Sequence, residues 1–162
     1  MYPTSVRPAD EMERVMQLYG NILYRLCLVM LGNASDAEEA VQETIIRYFQ
    51  KAPAFADAEH EKAWLLKVAA NKCRDMLRFR STHPQLDLES LPEIPVEKSE
   101  SGILEALMTL PEKYKLVLIL YYVEEYRVGQ IAEIIGRTPS AVKMRLQKGR
   151  KLLEETYRKE YL

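Results

Sequence analysis

The sequence has few of the residues that mark several common protein classes. Among 162 residues it has two cysteines, one tryptophan and three phenylalanines. Cys27 and Cys73 lack the paired spacing of a metal or disulfide framework, so we expect both to be reduced residues of helical cores. The longest nearly uncharged stretch, Leu26 to Ala34, is too short to cross a bilayer, and the N-terminus lacks the features of a secretory signal. We therefore expect the protein to act in the cytoplasm.

The sequence also lacks the residue constellations of an enzyme. It has no activated nucleophile, paired carboxylates, metal-ligand spacing or phosphate-binding glycine loop. His60 and His83 have no partner motif, and we expect both to lie on loops. We predict no catalytic activity, no cofactor, no metal site and no small-molecule substrate.

Between Val128 and Leu153 the sequence has the pattern of two helices joined by a tight turn. Gly136 supplies the left-handed backbone that ends a helix sharply. Thr138 can cap the second helix, and Pro139 fits its first position because an N–H has no partner there. Apolar residues at helical spacing would join the two helices, and they are Ile131, Ala132, Ile135, Val142 and Leu146. The pattern predicts a DNA-binding helix-turn-helix, although an ordinary helical hairpin with a solvated basic face has the same pattern.

The second helix of this pattern is strongly basic. From Arg137 to Lys151 there are six basic residues and no acidic one. An exposed face of this kind suits phosphate contacts and a few base contacts in a major groove. The residues that we expect to meet DNA are Arg137, Ser140, Lys143, Met144, Gln147 and Lys148.

Charge is unevenly distributed along the chain, although the net charge is only −1. Residues 1–80 have eleven basic and eleven acidic side chains, residues 81–110 have one and six, and residues 111–162 have eleven and seven. The acidic middle also contains several prolines and serines and has no sustained helical period. We predict a linker over 82–101 between two helical domains, 1–81 and 102–162.

Helical periodicity extends through both predicted domains. In the first domain, the apolar stripe of one helix ends at Gly32. Ser35 and Glu38 then form a capping box for a second helix, and a third helix runs from about Glu61 to Arg80. The second domain adds helices over 103–110 and 112–123. No segment has the alternation of a strand, so the fold class is all-α. The residues expected to be buried are Met12, Val15, Met16, Tyr19, Ile22, Leu23, Leu26 and Met30, then Ala37, Val41, Ile45, Tyr48 and Phe49, then Trp64, Leu65, Val68, Ala69, Cys73 and Leu77.

Two blocks of the N-terminal domain resemble conserved regions of bacterial RNA polymerase sigma factors of the extracytoplasmic-function (ECF) class. The block over 36–43 (Asp-Ala-Glu-Glu-Ala-Val-Gln-Glu) resembles region 2.2, and the block over 64–78, which begins Trp-Leu-Leu-Lys-Val, resembles regions 2.3 to 2.4. The helix-turn-helix resembles region 4, and the order of the blocks and the acidic linker agree with that class. The resemblance implies a sigma factor that directs core polymerase to promoters and promotes DNA opening.

The resemblance also implies the binding surfaces and partners. The helix with the first block would grip the coiled-coil clamp helices of the β′ subunit through Glu39, Gln42 and Glu43. The third helix and the preceding loop, about 55–62, would engage the minus-ten element, and the helix-turn-helix the minus-thirty-five element. The linker would enter the catalytic channel and RNA exit path, although a plain tether between the two domains would have the same kind of sequence. The other implied partners are the β flap, promoter DNA and an anti-sigma factor. The minus-ten residues are Lys67, Asn71, Lys72, Arg74 and Arg78, with Arg80 as a further phosphate contact.

Alternatives to this interpretation remain. A helix-turn-helix regulator that acts without joining polymerase would leave the blocks at Asp36 and Trp64 unexplained, and a helical adaptor is a second alternative. Trp64 could be a stacking platform or a core residue, and its place in an apolar stripe favours the core. We expect Asp75 to pair with Arg78 or Lys72 rather than to contact DNA.

Two residues of the second helix depart from the family's usual pattern. Met144 occupies a position where a small polar residue is common. Gly149 replaces a better helix former and should cost somewhat under ~1 kcal/mol relative to alanine. These departures affect the expected promoter sequence rather than the fold.

Overall fold

The computed structural model describes residues 9–82 and 102–161, which belong to two helical units. The N-terminal unit contains α1 (Ala9–Leu31), α2 (Ala34–Lys51) and α3 (Ala58–Thr82). The C-terminal unit contains α4 (Ile103–Met108), α5 (Glu112–Leu118), a π-helical segment (Ile119–Val123), α6 (Val128–Ile135) and α7 (Pro139–Tyr161). No strand occurs in these residues, which confirms the predicted all-α class and its two helical domains.

The predicted linker over 82–101 lies outside the described residues except for Thr82, and so does His83. The domain boundaries and the course of the linker therefore stay predictions. Within the described ranges, no helix is both long enough and apolar enough to span a membrane.

The core of the N-terminal unit lies where α1, α2 and α3 pack on one another. Cys27 and Cys73 are fully buried and form no disulfide, as expected of core residues. The predicted burial of Met12 and Met16 is wrong, because their exposed fractions are 43% and 42%. The two methionines lie one turn apart on the same side of α1, whereas Val15, Tyr19 and Leu23 form the side that is buried against the other helices.

The buried face of α3 differs from the predicted stripe. Leu66 and Ala70 are fully buried, whereas Trp64, Val68 and Leu77 are only half-buried. The reason is that α3 packs against both α1 and α2, so its buried face is wider than one stripe and is centred on Leu65, Ala69 and Cys73.

The start of α2 is capped by a different residue from the one predicted. The Asn33 side chain accepts a hydrogen bond from the backbone N–H of Asp36 at 3.0 Å, and the helix begins at Ala34. The proposed capping box of Ser35 and Glu38 is therefore wrong, because both residues already lie inside the first turns of the helix. Gly32, with a φ of +71°, makes the sharp corner that ends α1.

Arg80 joins the end of α3 to this corner. Its guanidinium donates to the backbone carbonyl of Leu31 at 2.9 Å and forms an ion pair with Asp36. The carbonyl is one of the unpaired acceptors at the end of α1, so the contact caps that helix. Arg80 therefore has a structural role in the N-terminal unit, and the phosphate contact predicted for it stays a prediction.

The helix-turn-helix in the C-terminal unit forms as its sequence predicts. Gly136 has a φ of +69°, and Thr138 Oγ1 accepts a hydrogen bond from the N–H of Ala141 at 3.1 Å. Val142 and Leu146 on α7 are buried against the preceding helices. The turn that leads into α7 is therefore set by residues close together in sequence, while α7 itself packs against α4, α5 and α6.

Gly149 lies in the contact between α7 and α5. A Cβ atom at this position would be 3.3 Å from Leu118 Cδ1 and 3.4 Å from Tyr114 Cβ. Alanine there would improve helix propensity but would also require Leu118 to move. The glycine is therefore explained by packing.

Candidate functional site

A buried carboxylate, which the sequence analysis missed, lies in the first turn of α3. Glu61 is 7% exposed and accepts hydrogen bonds from Tyr48 at 2.7 Å, Tyr19 at 2.9 Å and Arg14 at 2.9 Å. The three donors come from α1 and α2, so Glu61 joins all three helices of the unit. We refer to Glu61, Arg14, Tyr19 and Tyr48 as the Glu61 network.

The network shifts the pKa values of its members. Burial would raise the pKa of Glu61, but hydrogen bonds from Arg14, Tyr48 and Tyr19 outweigh it and lower the pKa below its ordinary value. Burial, followed by the bond to Glu61, raises the pKa of Tyr19 to about 12. Glu61 is therefore held ionised as the common acceptor of the network.

The loop between α2 and α3 is held by an aromatic cluster. Phe55 stacks on Tyr48, with ring centroids 6.1 Å apart and planes 15° apart, and meets Trp64 edge-on at 5.8 Å. Trp64 is half-buried within this cluster. It therefore packs in this cluster while part of its side chain stays exposed.

His60 also fixes this loop. It lies in the first turn of α3 and not on a loop, so its predicted position is wrong. Its Nδ1 accepts a hydrogen bond from the Ala56 N–H at 3.1 Å, and its own N–H donates to Asp57 Oδ1 at 2.8 Å. Local hydrogen bonds thus hold the loop predicted to engage the minus-ten element against the start of α3.

One exposed face of α2 displays the residues predicted to bind polymerase. Glu39, Gln42 and Glu43 are exposed, while Val41 and Ile45 are buried at 6% and 5% exposure, as predicted. Ile46 lies on the same exposed face and is 45% exposed. We call Glu39, Gln42, Glu43 and Ile46 the acidic face of α2.

A surface groove of about 510 Å³ lies between the exposed sides of α2 and α3. Glu43 and Ile46 of the acidic face lie in its wall. Lys67 is exposed but does not line it. The surfaces predicted for polymerase and for the minus-ten element therefore meet in one groove. This α2–α3 groove is lined by Glu43, Thr44, Ile46, Arg47, Gln50, Val68, Asn71, Lys72, Arg74, Asp75 and Arg78.

Several polar groups of the α2–α3 groove interact with one another. Arg74 Nη1 donates to Asn71 Oδ1 at 3.1 Å, a bond that does not involve the amide donors of Asn71. Arg78 pairs with Asp75 at 2.6 Å, which confirms the expectation that Asp75 has a basic neighbour. Four basic residues against two acidic residues give the groove a positive balance.

The predicted DNA-binding face of α7 is exposed. Arg137 in the turn and Ser140, Lys143, Met144, Gln147 and Lys148 on the helix are all exposed, and Met144 is 71% exposed. Lys148 also lies with its Nζ 5.9 Å from the ring centroid of Tyr114. Burial acts to raise the pKa of Tyr114, but hydrogen bonding and charge from Lys148 and Lys113 lower it overall.

An apolar groove of about 450 Å³, which the sequence analysis also missed, lies in the C-terminal unit. Ile103, Tyr122 and Val123 contribute side chains that are about half exposed. The available signal was the continuation of apolar spacing to Leu153 and Tyr157, beyond the helix-turn-helix. This α4–α7 groove is lined by Ile103, Leu107, Leu118, Ile119, Tyr122, Val123, Arg150, Leu153, Glu154 and Tyr157.

Comparison with known proteins identifies both units. Residues 15–82 match the family model of sigma-70 region 2, and residues 101–153 match that of sigma-70 region 4. The chain is 29% identical to the ECF RNA polymerase sigma factor SigW of Bacillus subtilis, over 92% of this chain and 90% of the relative. It is 31% identical to the RNA polymerase sigma factor SigV of the same organism, over 86% of each.

Solved structures show the same fold. The sigma factor RpoE from Bartonella quintana, in complex with the anti-sigma factor NepR, has a TM-score of 0.77 at 20% identity, over 94% of this chain and 99% of that chain. CnrH, in complex with the cytosolic domain of CnrY, has a TM-score of 0.68 at 19% identity, over 94% and 91%. With two sigma-70 regions in the order that the sequence predicts, the chain belongs to the ECF class of RNA polymerase sigma factors, which direct core polymerase to promoters.

Proposed function

We propose that the acidic face of α2 binds the β′ clamp helices, that the α2–α3 groove and the loop before α3 engage the minus-ten element, and that α7 engages the minus-thirty-five element. The observation that best supports this assignment of surfaces to partners is the α2–α3 groove. Glu43 and Asn71 line it together, so the groove can contact polymerase and promoter at once.

The chemistry of the α2–α3 groove suits an opened strand. Unstacking a base costs a few kcal/mol, so a protein that captures it must offer polar contacts to the base and positive charge to its phosphates. Asn71 has amide donors for a base edge, and Lys72 and Arg74 are cations for the backbone. The Glu61 network and the stacked Phe55 keep the adjacent loop in one shape, which lowers the entropic cost of binding.

The α4–α7 groove suits a helical partner. Its lining is almost wholly apolar, and apolar grooves of this kind accept the apolar face of an amphipathic helix. We assign it to the flap of the β subunit. The two units would then both be anchored on core polymerase.

The remaining roles follow from this assignment. The chain acts in the cytoplasm as a specificity subunit without catalytic activity of its own. RpoE and CnrH were solved with NepR and CnrY, and we propose an anti-sigma protein as a partner of this chain as well.

Transcription in vitro with purified core polymerase tests the proposed function. We expect promoter-specific transcripts only when the chain and core polymerase are both present. A regulator that acts without joining polymerase would instead need another sigma factor for any transcript. Transcription that depends on such an added sigma factor would contradict the proposal.

The isolated chain is expected to bind promoter DNA weakly. Each DNA surface is small, and the two act together only when polymerase holds both in place, which raises their effective concentration on one promoter. Gel-shift titration should therefore show specific binding for the holoenzyme and little for the free chain. Tight specific binding by the free chain would favour the regulator alternative.

Reversal of charge at Glu39 is expected to weaken binding to core polymerase about tenfold, because an acidic residue facing a basic partner both steers and anchors it. Glu39→Lys is a cleaner test than a change at Glu43, which also lines the α2–α3 groove. Glu13→Lys is the matched control, since Glu13 is exposed on α1. Unchanged core affinity of Glu39→Lys, with normal circular dichroism, would place the interface elsewhere.

A further inference from the structure

Arg150 lies beside the face of α7 that we assign to base recognition. It is three residues after Gln147, so the two lie about one helical turn apart. It lines a recess of about 340 Å³ together with Tyr121, Val128, Lys143, Leu146 and Gln147. Arg150 is thus close to Lys143 and Gln147. It is one of the six basic residues between Arg137 and Lys151 but not one of those expected to meet DNA, and it also lines the α4–α7 groove.

Two tyrosines hold the Arg150 side chain. Its Nε donates a hydrogen bond to the Tyr122 hydroxyl, and its Cζ is 5.5 Å from the centroid of the Tyr122 ring and 5.7 Å from that of Tyr121. The two rings pack edge to face with centroids 4.9 Å apart. Cation–π contacts with two rings and a hydrogen bond restrict the guanidinium of an exposed residue.

The backbone that presents these tyrosines is unusual. Tyr121 and Tyr122 belong to the π-helical segment, where the Glu124 N–H bonds to the carbonyl of Ile119 at 3.1 Å. Single turns of π-helix are rare in proteins, and those that do occur are often found at functional sites. This turn places two consecutive aromatic side chains against one arginine.

Arg150 has no carboxylate partner within the part of the chain that the structure describes. Glu154, one turn further along α7, pairs with Arg158 at 2.8 Å. An ordered guanidinium without an acidic partner, next to a DNA-facing surface, has the properties of an anion-binding group. Guanidinium groups bind phosphate through two parallel hydrogen bonds, which a flexible lysine does not reproduce.

We propose that Arg150 binds a backbone phosphate of the minus-thirty-five duplex, and that Tyr121 and Tyr122 are positioning residues that orient it. The inference rests on the proposed function of α7. A phosphate contact fixes the register of a protein on DNA but does not by itself distinguish sequences. Arg150 would therefore set how α7 lies in the groove, while Lys143 and Gln147 contact the bases.

The salt dependence of DNA binding by the holoenzyme distinguishes a phosphate contact of Arg150 from a base contact. The probe is a duplex with the minus-thirty-five element and no minus-ten element. Arg150→Ala should weaken binding about tenfold and reduce the slope of log affinity against log salt by about 1, with an unchanged preference for the element over a scrambled duplex. Lys159→Ala is the control, because it removes the same charge from an exposed residue about 14 Å further along α7.

Two further variants test the tyrosines. Tyr122→Phe keeps the ring and the net charge but removes the hydroxyl, so affinity should fall a few fold with little change in slope. Arg150→Lys should recover the slope without recovering the full affinity. The same affinity for Tyr122→Phe and the native chain would overturn the positioning role.

The phosphate role is overturned if Arg150→Ala behaves like Lys159→Ala, or if it changes the sequence preference as a base contact would. The joint replacement of Lys143 and Gln147 by alanine separates this inference from the proposed function. If that change alters sequence preference while Arg150→Ala matches Lys159→Ala, only the inference about Arg150 fails. If neither change has an effect, α7 is not the DNA-binding helix.

Discussion

Replacement of Glu61 by alanine is expected to lower the free energy of unfolding of the N-terminal unit by about 3 kcal/mol, because buried donors would lose a charged acceptor. Tyr19 and Tyr48 are buried and would lose this partner, whereas Arg14, with 44% of its side chain exposed, would regain water. The change is measured by urea unfolding followed through Trp64. This residue is the only tryptophan and lies in the aromatic cluster beside Tyr48.

Two variants control for the loss of a side chain and of charge. Glu59→Ala removes an exposed carboxylate from the same turn of α3 and should change stability by less than about 0.5 kcal/mol. Glu61→Gln keeps the shape and one acceptor oxygen, so its effect should be smaller than that of alanine. An equal effect of the alanine changes at Glu59 and Glu61 would show that the network contributes nothing to stability.

Stability should also depend on pH through Glu61. Its pKa is lowered in the folded state, so between the folded and unfolded values the unfolded chain binds more protons and stability rises with pH. The contribution is complete above the unfolded glutamate pKa of about 4.3 and is lost as pH falls through the lowered folded value. Glu61→Gln should therefore flatten the decline in stability below about pH 4. An unchanged acid profile would contradict the pKa shift.

The helix-turn-helix could be predicted from sequence because its determinants are close together in the chain. Gly136, Thr138 and Pro139 are consecutive or nearly so, and each acts on the backbone within one turn of itself. Local signals of this kind leave few alternative positions for the helix boundaries. The position of the turn and the exposed face of α7 could therefore be predicted from the sequence.

The start of α2 could not be resolved in this way. Asn33 and Ser35 are both good N-cap residues, and Ser35 also had a glutamate at the right spacing. The folded unit has Asp36 paired with Arg80, which lies 44 residues away in sequence. A contact at that separation is outside the reach of a local pattern.

The Glu61 network and the α2–α3 groove were missed for the same reason. Glutamate at the start of a helix is ordinarily an exposed residue that favours the helix dipole, so nothing near Glu61 indicates burial. Its partners Tyr19 and Tyr48 are on two other helices. The sequence placed the correct residues on α2 and α3 but did not show that the two helix faces form opposite walls of one groove.

Substitutions in the DNA-binding surfaces of the two units are expected to impair recognition of different promoter elements. Replacement of Lys143 and Gln147 by alanine removes groups aimed at a duplex groove, so discrimination at the minus-thirty-five element should fall by ~1 to 3 kcal/mol for each good base contact. Duplex footprinting of the upstream element by holoenzyme measures this loss. The minus-ten preference on premelted DNA should remain.

Replacement of Asn71 by alanine should instead impair recognition of the minus-ten element and spare that of the minus-thirty-five element. Asn71 lines the α2–α3 groove, and its amide donors are not part of the bond with Arg74. The variant should keep its upstream footprint but lose sequence preference at the minus-ten element. Permanganate reactivity of unpaired thymines would report the opened strand. Asn21→Ala is the matched control, since Asn21 is exposed on α1.

A template with a premelted bubble sharpens this comparison, because it removes the cost of melting but not the need for a base contact. If Asn71 only assisted melting, the bubble would restore the activity of Asn71→Ala. If Asn71 contacts an unpaired base, the loss of minus-ten preference should persist on the bubble, and this is the expected result. Suppose instead that Asn71→Ala keeps both opening and preference, while the changes at Lys143 and Gln147 abolish them. Capture of the opened strand would then lie outside α3, and the α2–α3 groove would be a polymerase contact only.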